Sequence, residues 1–213
     1  MNKILKTTML FATCALISSC AASYKSIYPE SISYVGGNSS AKGVEVGYHH
    51  NVLPEKENKK YHRKELKSGT QLVALKITNN TDSILELNKN FALYSGQSPL
   101  NIVPIDRTFV QLKQQPAWYL LYCLLTLSTY SGTTTTNGSN FTSKSDVKIY
   151  PIGVPIAIAN VIIASSANKK FKEEMAKYSP NNREIKKGET GYFLIGISST
   201  TFQPIDLKMI NKQ

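Results

Sequence analysis

Few side chains in this sequence are equipped for nucleophilic, acid–base or metal chemistry. The 213 residues include three cysteines (Cys14, Cys20 and Cys123) and three histidines (His49, His50 and His62). His49 and His50 are adjacent, which on a strand sends their rings to opposite faces and makes poor metal-ligand geometry. The carboxylates are scattered, and Asp146 follows a Ser/Thr-rich stretch without the spacing of a calcium loop. There is no His-Glu-x-x-His zinc helix, no Gly-x-Ser-x-Gly elbow and no phosphate loop. The expectation is a protein that is not an enzyme, with no catalytic residue, no metal and no cofactor. The remaining candidate for covalent chemistry is the sulfur of Cys20, directly behind Ile17-Ser18-Ser19.

The residues ahead of that cysteine give it a context. Lys3 and Lys6 make a short positive start, and Thr7 to Ile17 is uncharged and mostly apolar. Eleven such residues match a signal-peptide core and fall well short of the roughly 30 Å bilayer. The Ile17-Ser18-Ser19-Cys20 sequence resembles the lipobox of bacterial lipoproteins, a better match than Phe11-Ala12-Thr13-Cys14. The resemblance implies a signal peptide over residues 1–19, cleavage before Cys20, and diacylglycerol on its sulfur. Two or three acyl chains, each buried methylene contributing about 0.8 kcal/mol, hold a protein stably where one chain does not. Ala21 and Ala22 follow, without the Asp that retains many such proteins in the inner membrane. The expected location is therefore the cell envelope, with the outer membrane favoured.

Cleavage there would leave 194 residues and lower the net charge from +11 to +9, because Lys3 and Lys6 depart. This is enough chain for one sizeable domain with a proper core. With Cys14 removed and Cys20 acylated, Cys123 has no partner for a disulfide within the chain. The basic balance suits anionic surfaces such as lipid head groups or envelope polymers, and the export signal argues against nucleic acid. Lys59, Lys60, Arg63 and Lys64, within the charged stretch 55–67, are the candidate contacts for such a surface.

Residues 20–42, rich in Ser, Tyr and Gly, predict a lipidated N-terminus and flexible tether. The domain expected over 43–210 is mainly β. Val44, Val46 and Tyr48 alternate with Glu45 and Gly47; Val73, Leu75 and Ile77 share a face and run into the turn Asn79-Asn80-Thr81-Asp82. Phe193, Ile195 and Ile197 repeat the pattern behind Lys187-Gly188-Glu189, and Ile205, Leu207 and Met209 form a last strand. The segments Val73 to Asn79 and Ile185 to Tyr192 resemble strands of the loose group of immunoglobulin-like β-sandwich domains in bacterial envelope proteins. That resemblance spans 43–105 and 183–210, and it implies an antiparallel sandwich but no particular chemistry.

Between those blocks, residues 108–180 predict a largely helical insertion, an apolar hairpin of two helices. Pro116 opens the run Ala117 to Leu127, a Ser/Thr/Gly/Asn loop fills 128–145, and the second helix runs from 152 to 178. Its expected buried stripe is Ala159, Ile163, Ala167, Phe171 and Met175, with Lys169–Glu173 and Lys170–Glu174 paired on another face. Three readings stay open for the hairpin. It crosses the membrane, although its first helix is only about 16 Å long; it packs on the sandwich; or it lies on a membrane or a partner. Trp118, Tyr119, Leu120, Tyr122, Ile162 and Ile163 are the contact candidates in the last case. The lead functional expectation is a lipid-anchored envelope module that binds or supports other envelope proteins or anionic polymers. The alternative is an accessory protein of envelope assembly or transport that inserts the 117–127 and 152–178 helices.

Overall fold

A computed structural model of the chain describes residues 20–137, 140–181, 183–199 and 201–210. The expected signal peptide therefore lies outside the described residues. The chain divides into two compact units, one formed by residues up to Ala22 with Gln115–Ser166, the other by Ser23–Gln114 with Ala167–Gln213.

The larger unit is built on antiparallel sheets, as the alternating segments require. Its main sheet has the order β1 (Val35–Gly37), β2 (Val44–His49), β3 (Thr70–Asn79), β11 (Glu189–Ser198), β7 (Ile102–Val103). Facing strands are β5 (Phe91–Ser95), flanked by β12 (Asp206–Met209) and β6 (Ser98–Pro99), and the pair β4 (Leu85–Glu86) with β10 (Glu184–Ile185). β3 and β11 pair along their whole length, from Thr70 opposite Ser198 to Asn79 opposite Glu189. Residues i, i+2 and i+4 of each then share a face. Val73, Leu75, Ile77, Phe193, Ile195 and Ile197 enter one core with Leu85, Phe91, Leu93 and Leu207 from the facing strands.

The opposite face of the same sheet is also buried. Leu72, Ala74 and Leu194 pack beneath Tyr24 and Ile27, the short helix α1 (Val52–Glu55), α2 (Lys59–Ser68), α3 (Ile105–Leu112) and the end of α4 (Gly153–Lys177), represented by Phe171 and Met175. β3 is therefore covered on both sides, which explains its near-continuous apolar reading. Helix α3 approaches β11 where Gly196 leaves room: a Cβ there would lie 2.0 Å from Thr108 Oγ1.

The N-terminal stretch departs from the tether expected over 20–42. Tyr24 and Ile27 are buried, and residues 35–37 form β1. The Asn58 side chain accepts the Lys25 N–H at 2.9 Å and donates to the Lys25 carbonyl at 2.7 Å, fastening this segment to the start of α2. Two apolar side chains with a core to enter outweigh the Ser/Gly-rich composition on which the tether rested.

The insertion also departs from a pair of helices. The run after Pro116 is a 3-10 helix, Pro116–Leu124, and the expected loop is a two-stranded antiparallel hairpin, β8 (Leu127–Asn137) with β9 (Asn140–Tyr150). Among the described residues only α4 is a long helix, of 25 residues. Its expected stripe holds from Ala167 through Phe171 to Met175; earlier, Ala157, Asn160 and Ala164 are buried while Ala159 and Ile163 are exposed. Glu174 turns inward instead of pairing with Lys170.

Candidate functional site

Cys20 belongs to the smaller unit, which also carries most of the exposed large apolar side chains among the described residues. The unit is organised around the start of α4. Gly153 donates its N–H to the Leu125 carbonyl at 3.0 Å, and a Cβ on Gly153 would sit 1.6 Å from the Tyr122 carbonyl oxygen. Only glycine permits that approach of the 3-10 helix. The Asn160 amide donates to the Ile156 carbonyl of its own helix at 2.8 Å, and its oxygen accepts the N–H of Ala21, next to Cys20, at 2.5 Å. The Tyr119 and Tyr122 rings stack nearly parallel, with centroids 6.4 Å apart. Burial raises the pKa of the Tyr119 hydroxyl, and the neighbouring Tyr122 and Cys20 add to the rise.

Around this scaffold the surface is oily. Trp118 is 67% exposed, Leu124 78% and Ile162 62%, and Leu120, Leu121, Ile149, Ile158 and Ile163 are exposed as well. Of the six expected contact residues, Trp118, Leu120, Ile162 and Ile163 are thus exposed, Tyr122 is half-buried, and Tyr119 is buried. On α4 the exposed large apolar side chains end at Ile163. Ser165 and Ser166 follow, then exposed Lys169, Lys170, Lys172 and Glu173. Among the described residues, no helix is long and apolar enough to cross a membrane.

The expected basic residues come together on the larger unit. Lys59, Lys60, Arg63 and Lys64 lie on α2, in two i,i+4 rows, while Tyr61 and Glu65 of the same helix point into the protein. Glu65 accepts the Leu72 N–H at 2.8 Å and bonds His62 Nδ1 at 2.9 Å. Burial holds its pKa above the ordinary carboxylate value, against the Leu72 and His62 contacts, which favour the charged form. A cleft of about 90 Å³ beside it is lined by Asn51, His62, Glu65, Leu66, Gln71 and Phe202. The other histidines have separate partners: His49 bonds Glu55 at 2.8 Å, and His50 bonds Gln71 and the Gln203 carbonyl. No group of three His, Cys, Asp or Glu side chains suited to a metal ion occurs among the described residues. A groove of about 240 Å³ along Ile102–Ile105 and Leu194–Gly196 has no titratable side chain in its lining.

Sequence reasoning missed the hairpin β8–β9 and the structural importance of Asn160 and Glu174. The alternation from Phe141 to Tyr150 was the available signal for the hairpin. Comparison with protein-family models, with curated proteins and with solved structures finds no match.

Proposed function

We propose that this chain is a non-enzymatic, lipid-anchored protein of the bacterial envelope, whose smaller unit lies against the membrane and whose larger unit is an immunoglobulin-like binding module. The observation that carries this reading is the company Cys20 keeps. The residue expected to be acylated belongs to the same compact unit as Trp118, Leu120, Leu124, Ile158 and Ile162, all exposed. An oily surface of this extent marks a contact with a membrane or a partner, and acyl chains at Cys20 select the membrane. The change from Ile and Val to Ser and then Lys along α4 suits an element that passes from lipid into water.

The length of chain behind the anchor supports the same geometry. Only three residues separate Cys20 from Tyr24, the first buried residue of the larger unit. At about 3.5 Å per residue that is a reach of roughly 14 Å, so the module is held close to the bilayer. The main antiparallel sheet and the facing strands that share one core with it support the sandwich reading, and the lysine and arginine rows of α2 give that module a surface for anionic envelope polymers or lipid head groups. The outer membrane is the favoured location, on the residues after Cys20.

The test is fractionation of cells producing Cys20→Ala beside Cys20→Ala combined with Ile158→Ser and Ile162→Ser. The reading expects Cys20→Ala to lose stable anchoring yet keep a residual association, removed by the two serine substitutions. A Cys20→Ala protein that resists carbonate extraction as the parent does would overturn the lipid anchor.

A further inference from the structure

The cleft beside Glu65 is lined by polar side chains whose free ends the fold does not use. Gln71, at the start of β3, is nine-tenths buried and lines it. One end of its amide meets His50 Nδ1 at 3.2 Å, while His50 Nε2 bonds the Gln203 carbonyl at 3.0 Å. Whichever end of the amide faces the imidazole, the other has no partner among the described residues and is not sealed from solvent. A side chain so buried, with one end left open, is a place for a partner from outside the chain. Asn51 stands at φ 61°, in the left-handed region where glycine is the default, and its side chain caps nothing. His62 bonds Glu65 through Nδ1 at 2.9 Å, which leaves its Nε2 open.

The rims of the cleft are apolar. Leu66 is 72% exposed and Phe202 is 61% exposed. The Phe202 ring lies 5.4 Å from that of His50, which in turn packs edge-on against Tyr48, so the exposed aromatic is supported from behind. Among the described residues no lysine or arginine lines the cleft, which disfavours an anion. Both oxygens of Glu65 already have partners, in the Leu72 N–H and His62, so no free carboxylate oxygen is offered to a cation. We propose that this cleft binds one ring of a neutral sugar, with a C–H face against Phe202 and hydroxyls on Gln71, Asn51 and His62. A hydroxyl both donates and accepts, so it satisfies either end of the two amides and either tautomer of His62. The cleft of about 90 Å³ has room for roughly three waters, so the ring enters by one edge and lies along Phe202. An apolar wall with a few placed polar groups fixes the orientation of such a ligand. Binding here does not depend on a lipid at Cys20.

The experiment is an NMR titration of the isotope-labelled full chain with the methyl glycosides of glucose, galactose, mannose and N-acetylglucosamine, and with acetate and choline as charged probes. At least one glycoside should shift the side-chain amide signals of Asn51 and Gln71 more than either charged probe does. Asn51→Gly suits the backbone and removes only the side chain, and Phe202→Ala removes an exposed ring, so both variants should keep the fold. Each should raise the Kd at least about threefold, through a lost hydrogen bond or a lost stacking face. The trisaccharide of the sugar that binds identifies the source: binding as tight as the glycoside's points to a ring within a polysaccharide, and exclusion points to a free sugar. No shift from any of the four glycosides at millimolar concentration, a larger response to acetate or choline, or an unchanged Kd in either variant would overturn the sugar site.

Discussion

Glu174 accepts the backbone N–H of Ile27 at 2.9 Å, joining the end of the long helix to a residue 147 positions earlier. The same carboxylate accepts the Tyr28 N–H at 2.9 Å and the Tyr24 hydroxyl at 2.6 Å. Burial, with the carboxylate beside it, pushes the Tyr24 hydroxyl far above its usual pKa, so Tyr24 remains a donor. Replacing Glu174 by Ala strands two buried donors and one part-buried donor and should cost about 3 kcal/mol. Glu174→Gln keeps one acceptor oxygen and should cost less. Urea unfolding measures both, and hydrogen exchange at Ile27 should accelerate most in Glu174→Ala. Unchanged exchange there would show that the N-terminal segment is held by its apolar side chains alone.

Asn79 closes β3 with its side chain. Its amide donates to the carbonyls of Ser83 and Ile185, and its oxygen accepts from the Thr81 N–H and hydroxyl. Asn79→Ala should destabilise by about 2–3 kcal/mol, because the Ile185 carbonyl loses its donor at a buried site. Asn79→Asp keeps the acceptors for Thr81 but opposes carboxylate oxygens to two carbonyls. It should be the worse of the two at neutral pH and should recover partly in acid. Thermal melts at two pH values separate these outcomes.

The buried carboxyl of Glu65 makes stability depend on pH. Burial raises its pKa in the folded state, so the folded protein holds this proton to a higher pH than the unfolded chain does. Its contribution is fully present below the ordinary carboxylate pKa and is lost as pH rises through the raised value. Glu65→Gln keeps an acceptor for the Leu72 N–H and removes the titration. The stability difference, parent minus variant, should therefore fall with rising pH across that window. A difference that stays flat would contradict the account.

The basic rows of α2 lead to a binding prediction. Reversing Lys59, Lys60, Arg63 and Lys64 to Glu should weaken binding to phosphatidylglycerol-containing vesicles by at least about tenfold and flatten its salt dependence, at about 1 kcal/mol per basic residue near such a surface. The measurement is sedimentation of Cys20→Ala protein with vesicles across a salt series. Equal binding by parent and variant would remove α2 as a contact.

Some of this architecture could be read in the residues. Val73, Leu75, Ile77, Phe193, Ile195 and Ile197 alternate cleanly, and they form one core. The charged stretch 55–67 was legible as such, but its composition alone left helix and loop open; α2 sets Lys59, Lys60, Arg63 and Lys64 in rows. What was hidden depended on distant partners. Glu174 read as a surface partner of Lys170, since nothing nearby announces the amides of Ile27 and Tyr28. Residues 128–145 read as a loop because Ser, Thr and Gly dominate turns, yet Thr also favours strands, and cross-strand pairing decided between them. Pro116–Leu124 read as an ordinary helix; the approach of its carbonyl at Tyr122 to Gly153 lies beyond any local pattern.

The central claim is that the unit carrying Cys20 touches the membrane, and Trp118, the single tryptophan of the chain, reports on it directly. Trp118 is largely exposed and lies in that unit. With the lipidated protein on vesicles, its emission should shift to the blue relative to the protein in detergent-free buffer as Cys20→Ala, and lipids brominated on their acyl chains should quench it. Vesicle-bound protein whose Trp118 emission is unshifted, unquenched by brominated lipid and fully quenched by iodide would contradict the account.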